Sequence, residues 1–165
     1  MYSLNVPVPG EVERIAGDLH PRLTAFDAVR ERRSLLVKRL GDGSLPRVRE
    51  RLREPLSGVP AFEARVTGID YFERPVNGTG PVVYLAVESP GLYDLHDRLV
   101  SAFGAVAELE GDEYVPHVTL ARGGSVADAE RLAAVDVPPV TWTVSRLALW
   151  DDAYRETVAR FGLPR

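Results

Sequence analysis

The chain has no cysteine among its 165 residues, which excludes disulfide staples, thiolate metal sites and a cysteine nucleophile. Histidine is nearly as scarce. His20, His96 and His117 are the only three, too few to anticipate a histidine-rich metal centre. No stretch of eighteen apolar residues occurs, so no membrane-spanning helix is expected. The opening Met1-Tyr2-Ser3-Leu4-Asn5-Val6-Pro7 lacks the basic start and long apolar core of a secretory signal. These absences lead to the expectation of a cytoplasmic protein with no membrane partner and no cofactor. Lysine is the last shortage: Lys38 is alone, and the other nineteen of the twenty basic residues are arginines.

Twenty-four acidic residues outweigh the basic ones and give a net charge of −4. A generally basic nucleic-acid coat is therefore excluded, and any nucleic-acid contact must come from a local patch. The 45% apolar and 27% charged content is that of a chain able to bury a core. Its length suits one domain.

Apolar periodicity divides the chain into alternating strands and helices. Strands are expected at Tyr2–Pro7, Arg33–Leu40, Phe62–Phe72, Val82–Val87, His117–Ala121 and Val140–Trp150. Arg155–Phe161 follows as a hairpin partner across Asp151-Asp152. Helices are expected from Glu11, over Pro46–Leu56, over Gly91–Leu109 and over Ser125–Ala134, with Ser125 as N-cap. The connector Pro75–Pro81 carries Asn77-Gly78, a hairpin turn signal. This order contains a weak internal duplication, which predicts a single two-lobed α+β domain over residues 1–165. Two βαβ-type units would set two antiparallel sheets around a central cleft.

The sharpest chemical signal is Pro116-His117-Val118-Thr119-Leu120-Ala121-Arg122. Residues two apart on a strand share a face, so His117 and Thr119 point one way while Val118 and Leu120 enter a core. An imidazole that transfers protons near neutrality, beside a hydroxyl that hydrogen-bonds an anionic oxygen, is a small phosphate-handling unit.

This segment resembles the second signature of the two-histidine phosphoesterase superfamily, the group of 2′-5′ RNA ligase-like proteins and 2′,3′-cyclic phosphodiesterases. The resemblance covers nearly the whole chain, and it implies a bilobal duplicated fold with one His-x-Thr/Ser unit per lobe facing a shared cleft. The first unit should fall on the strand before Gly41, with its histidine at Arg32, Arg33 or Ser34, and none of these is histidine. Arginine cannot replace a base, because its guanidinium stays protonated, but it can grip phosphate through a bidentate fork.

The resemblance implies a metal-independent phosphoesterase acting on a 2′,3′-cyclic phosphate or a 2′-5′ linkage, with RNA ends or nucleotides as partners and a monomeric chain. His117 is expected to protonate the departing oxygen and Thr119 to hold a non-bridging one. Arg33 and Ser34 would bind the anion, with Lys38 as a helper on the same strand face and Arg122 closing on the phosphate. The group that deprotonates the nucleophile stays unassigned. The alternative is a module that binds RNA ends or nucleotides without turnover. Tyr114 is expected to pack. Trp142 and Trp150 share a face of one strand, most simply in a core. The arginine-rich segment Arg47–Arg53 is expected to be a solvated helix face.

Overall fold

The computed structural model describes residues 1–165. In chain order these form β1 (Tyr2–Val6), α1 (Gly10–Leu23), β2 (Ala28–Val29), β3 (Leu35–Gly41), α2 (Leu45–Leu56), β4 (Phe62–Phe72) and β5 (Val82–Glu88). Then come α3 (Pro90–Phe103), a 3₁₀ turn at Gly111–Glu113, β6 (His117–Arg122), α4 (Val126–Ala133), β7 (Val140–Val144), β8 (Arg146–Asp151) and β9 (Glu156–Gly162). The α+β class expected from the sequence is the observed one.

The strands lie in the order β7-β4-β5-β6-β3-β1-β8-β9, with β2 beside β6, and neighbours are antiparallel. Eight strands of this strongly curled nine-stranded sheet divide four to each lobe, and β2 pairs with β6 off that path. The lobes join where β3 meets β6, through the single pair Leu35↔Val118. β4 leaves the first half of the sequence to join the second lobe, and β8 with β9 return to the first. One core runs through both lobes, and Leu35, Val118, Leu120 and Leu4 are completely buried within it. Each such leucine contributes ~1.5–3 kcal/mol of burial. The helices cover the sheet with their apolar stripes, as α1 does with Val12, Ile15, Ala16, Leu19 and Leu23.

Three expectations need correction. The third helix ends at Phe103, not Leu109, because Gly104 takes φ +80° and closes the last turn by donating its N–H to the Val100 carbonyl. Glycine adopts that left-handed conformation without a Cβ clash. Val140–Trp150 is two strands rather than one. Ser145 separates β7, which pairs with β4, from β8, which pairs with β1 and β9, so Trp142 and Trp150 do not share a strand face. The third correction lies inside β3. Asn5 faces Leu36 and Leu4 faces Lys38, which leaves Val37 as the extra residue of a β-bulge. A bulge breaks the two-residue alternation. Val37 and Lys38 both turn into the interior, while Leu36 and Arg39 face the other side.

Candidate phosphate-binding cleft

His117 and Thr119 project from β6, which lies between β5 and β3 near the middle of the sheet, where Ala86 and Tyr84 are their partners on β5. Val118 and Leu120 on the opposite face are fully buried. The strand is thus anchored by one face while the other presents the chemistry. The His117 Nδ1 lies 2.6 Å from the Val115 carbonyl oxygen. A carbonyl only accepts, so Nδ1 carries the proton and the neutral ring keeps a lone pair on Nε2. The rings of Phe72 and Tyr84 stand edge-on to the imidazole, at centroid distances of 5.3 and 5.1 Å. Partial burial pushes the His117 pKa below its ordinary value, the cations Arg39 and Arg30 push it the same way, and the hydrogen bond to Val115 opposes them.

Two hollows meet at this strand. One, of about 320 Å³, contains His117, Thr119, Leu36, Arg39, Arg74 and Arg122 in its lining. The other, of about 390 Å³, includes Thr119, Arg122, Arg30, Arg32, Trp150 and Arg155. Thr119 and Arg122 belong to both, so the hollows form one cleft, in the size range of ligand sites. Arg122 is steadied by donating to the Asn77 carbonyl at 3.2 Å. A Cβ on the neighbouring Gly78 (φ +78°) would collide with that guanidinium.

The β3–β6 pairing locates the first signature. Leu35 faces Val118, and continuing the antiparallel register by one residue each way sets Ser34 across from Thr119 and Leu36 across from His117. The local two-fold of that pair carries His117 onto Ser34 and Thr119 onto Leu36. Of the three candidate positions, Ser34 is the one that geometry selects, half-buried at the entrance to β3.

Of the expected anion ligands, Arg122 lines the cleft, Ser34 lines neither hollow, and Arg33 and Lys38 are placed elsewhere. Arg33 turns toward α1, where its Nη1 donates to Glu13 Oε2 at 2.9 Å, and its buried Nε has no partner. Lys38 is 1% exposed and ion-paired to Glu110 at 2.5 Å. It also donates to the Arg39 carbonyl. Neither reaches the cleft, and for Lys38 the cause is the bulge at Val37. Tyr114 packs, stacking on His96 at 3.8 Å and donating to the Leu36 carbonyl at 2.7 Å. Asp151 serves the hairpin turn by accepting from the Ala153 N–H at 3.0 Å.

Several cleft residues are not marked as ligands by the sequence: Arg30, Arg39, Arg74, Arg155 and, in a binding role, Arg32. Trp150, expected in a core, lines the cleft beneath the Arg32 guanidinium, 3.4 Å from the ring centroid. The available signal was Arg30-Glu31-Arg32, two like charges two residues apart just ahead of a buried strand.

Comparison with known proteins is consistent with this geometry. A family model described as the 2′-5′ RNA ligase superfamily matches residues 19–155. An RNA 2′,3′-cyclic phosphodiesterase of Methanothermobacter thermautotrophicus is 32% identical over 95 residues, covering 57% of this chain and 50% of that protein. The match thus spans about half the length of that curated relative. A crystal structure from Thermus thermophilus superposes with a TM-score of 0.67 at 25% identity, covering 98% of this chain and 97% of that one. Escherichia coli LigT, solved in complex with NADP+, superposes at 0.69 and 20% identity over 99% and 97% of the two chains, a likeness of fold alone.

Proposed function

This chain belongs to the 2′-5′ RNA ligase superfamily, and from that premise we propose that it is a metal-independent phosphoesterase acting on 2′,3′-cyclic phosphates or 2′-5′ linkages of RNA ends or nucleotides. One observation carries the proposal: His117, its Nε2 lone pair free, stands beside Thr119 in an arginine-lined cleft. We read His117 here as the base rather than the acid, because its lowered pKa favours the neutral ring and the Nδ1 contact to Val115 then leaves the lone pair on Nε2. Nε2 takes a proton from water, and the resulting hydroxide oxygen bonds to phosphorus as one of the two ring P–O bonds breaks. The ribose oxygen of that bond leaves with the bonding pair and is protonated by water entering the open cleft. The imidazolium then returns its proton to solvent. Thr119 donates to a non-bridging oxygen, and Arg122 balances the negative charge of the phosphoryl group.

A second imidazole would protonate the departing oxygen, a service typically worth ~10²–10⁴-fold. Ser34 and Leu36 occupy the equivalent positions and offer no such acid, so turnover is slow. That same pair favours the second reading, a module that binds phosphorylated ends without hydrolysing them. The two separate when purified protein is incubated, with chelator present, with adenosine 2′,3′-cyclic phosphate and an RNA bearing a cyclic phosphate end. Turnover that His117→Ala abolishes identifies the enzyme. Binding without turnover identifies the module, and failure to bind any phosphorylated ligand overturns both.

A further inference from the structure

Arg30, Arg32, Arg122 and Arg155 surround the hollow on the Trp150 side of Thr119, and Asp152 and Glu31 are the only acidic residues of its wall. Five arginines of the chain, Arg33, Arg39, Arg53, Arg65 and Arg131, have an ion-pair partner. None of these four does. Burial and mutual repulsion work against them, since Arg30 is held below its ordinary pKa by desolvation and then by Arg122 and Arg155. Arg32 is lowered by desolvation and then by Arg155 and Arg30, with Asp152 opposing. A guanidinium keeps its proton regardless, so the hollow carries unbalanced positive charge. Arg32 sits over Trp150, 3.4 Å from the ring centroid, and the Arg30 backbone N–H donates to the Leu120 carbonyl at 2.9 Å, while Arg155, at φ +52°, stands exposed at the tip of the β8–β9 hairpin.

Four guanidinium groups without carboxylate partners around one concavity match an anion with more oxygens than one reacting phosphate offers. We propose that this hollow is a second phosphate subsite, so that the preferred ligand is a nucleotide or RNA end carrying another phosphate beside the one at His117 and Thr119. Resting on the function proposed above, this inference names the substrate class: ligands with two phosphate groups, the second held by Arg30, Arg32 and Arg155. Thr119 and Arg122 border both hollows and set the two phosphates next to one another.

The test uses ligands with no bond to cleave, so it stands whether or not the cleft turns over. Calorimetric titration compares adenosine 3′-monophosphate with adenosine 3′,5′-bisphosphate. The expected result is an affinity at least about tenfold higher for the bisphosphate. Arg155→Gly removes a guanidinium at a position whose backbone suits glycine, and Arg32→Gln is a second, independent variant. Each should cut the bisphosphate advantage to below about threefold, whereas Arg49→Gln on α2 should leave it intact. A wild-type ratio near one, or a ratio that both cleft variants preserve, overturns the subsite. Hydrolysis of a cyclic phosphate with no bisphosphate preference would remove the subsite and leave the phosphoesterase standing. The source of the second phosphate follows from a dinucleotide ending in a cyclic phosphate and a 5′-phosphorylated mononucleoside cyclic phosphate. Gain with the first indicates an RNA end, and gain with the second alone indicates a free nucleotide.

Discussion

His117 shows most clearly how little of a residue's role its type decides. The sequence names the imidazole and its strand partner Thr119, but the proton's place follows from the carbonyl of Val115, two residues back, a contact no periodicity reveals. A base must be neutral to act. Hydrolysis should therefore rise with pH through the depressed His117 pKa, below the usual imidazole value of about 6.5, and level off through neutrality. A rate that instead declines over the same interval would make His117 the acid. The same depression couples to stability. The unfolded chain binds the extra proton, so folding should weaken as pH falls from about 6.5 through the folded-state pKa. His117→Gln should flatten that part of a denaturation-versus-pH curve. The partner position gives the complementary experiment. Ser34→His restores an imidazole where the local two-fold demands one, and cleavage of adenosine 2′,3′-cyclic phosphate should accelerate by at least about tenfold, toward the lower end of what a general acid supplies. Unchanged kcat in that variant and in Ser34→His/Leu36→Thr would mean that the first lobe's register is wrong. Arg32 and Arg33 looked as eligible as Ser34 in the sequence because strand pairing is long-range information.

Among the elements, most boundaries were legible because the apolar period changes cleanly from strand to helix, and β4, β6 and β9 follow the residues that predicted them, whereas the break between β7 and β8 did not show. The bulge in β3 was not legible. A regular strand would set Lys38 on the face of Ser34 and Leu36. The extra residue Val37 sends Lys38 inward and brings Arg39 to the cleft instead. Nothing local in Leu35-Leu36-Val37-Lys38-Arg39 marks this, since the partner that makes it favourable, Glu110, lies 72 residues away. Burial alone would push the Glu110 carboxyl up. Hydrogen bonds from Lys38 and from the N–H groups of Arg39 and Val106, with the Lys38 charge, bring it below the ordinary range. Breaking such a buried pair from one side leaves an uncompensated charge, so Lys38→Ala should cost about 3–5 kcal/mol in urea unfolding. Turnover per folded molecule should stay within about twofold of wild type, because the Lys38 side chain lines neither hollow and, of the cleft residues, hydrogen-bonds only the backbone carbonyl of Arg39. A large loss of kcat at full stability would return Lys38 to the cleft.

Taken whole, the molecule bears a net charge of −4 yet gathers six arginines along one cleft, Arg30, Arg32, Arg39, Arg74, Arg122 and Arg155. Composition alone excluded a basic surface and left open a local patch. Its location emerged only when β2, β3, β6 and the β8–β9 turn were brought together by the sheet. Screening should expose this arrangement, and affinity for adenosine 3′-monophosphate should fall as ionic strength rises from about 50 mM to about 500 mM salt, roughly the range over which the Debye length contracts from well above 10 Å toward 4 Å. Salt-independent binding would locate the ligand away from the arginines. The expected pair of sheets is one continuous sheet, and the Leu35↔Val118 pair that joins β3 to β6 within it depends on contacts between distant segments.

With only three histidines in the chain, the central assignment can be observed at the atom concerned. Protein labelled with ¹⁵N-histidine, followed by long-range ¹H–¹⁵N correlation, reports both nitrogens of each ring. Before ligand, His117 should carry its proton on Nδ1 and leave Nε2 bare. Adenosine 3′-monophosphate should then shift the His117 Nε2 resonance saturably while the buried His96 and the surface His20 stay fixed. A His117 signal that ignores saturating nucleotide, or a proton residing on Nε2 in the free protein, would contradict the cleft described here.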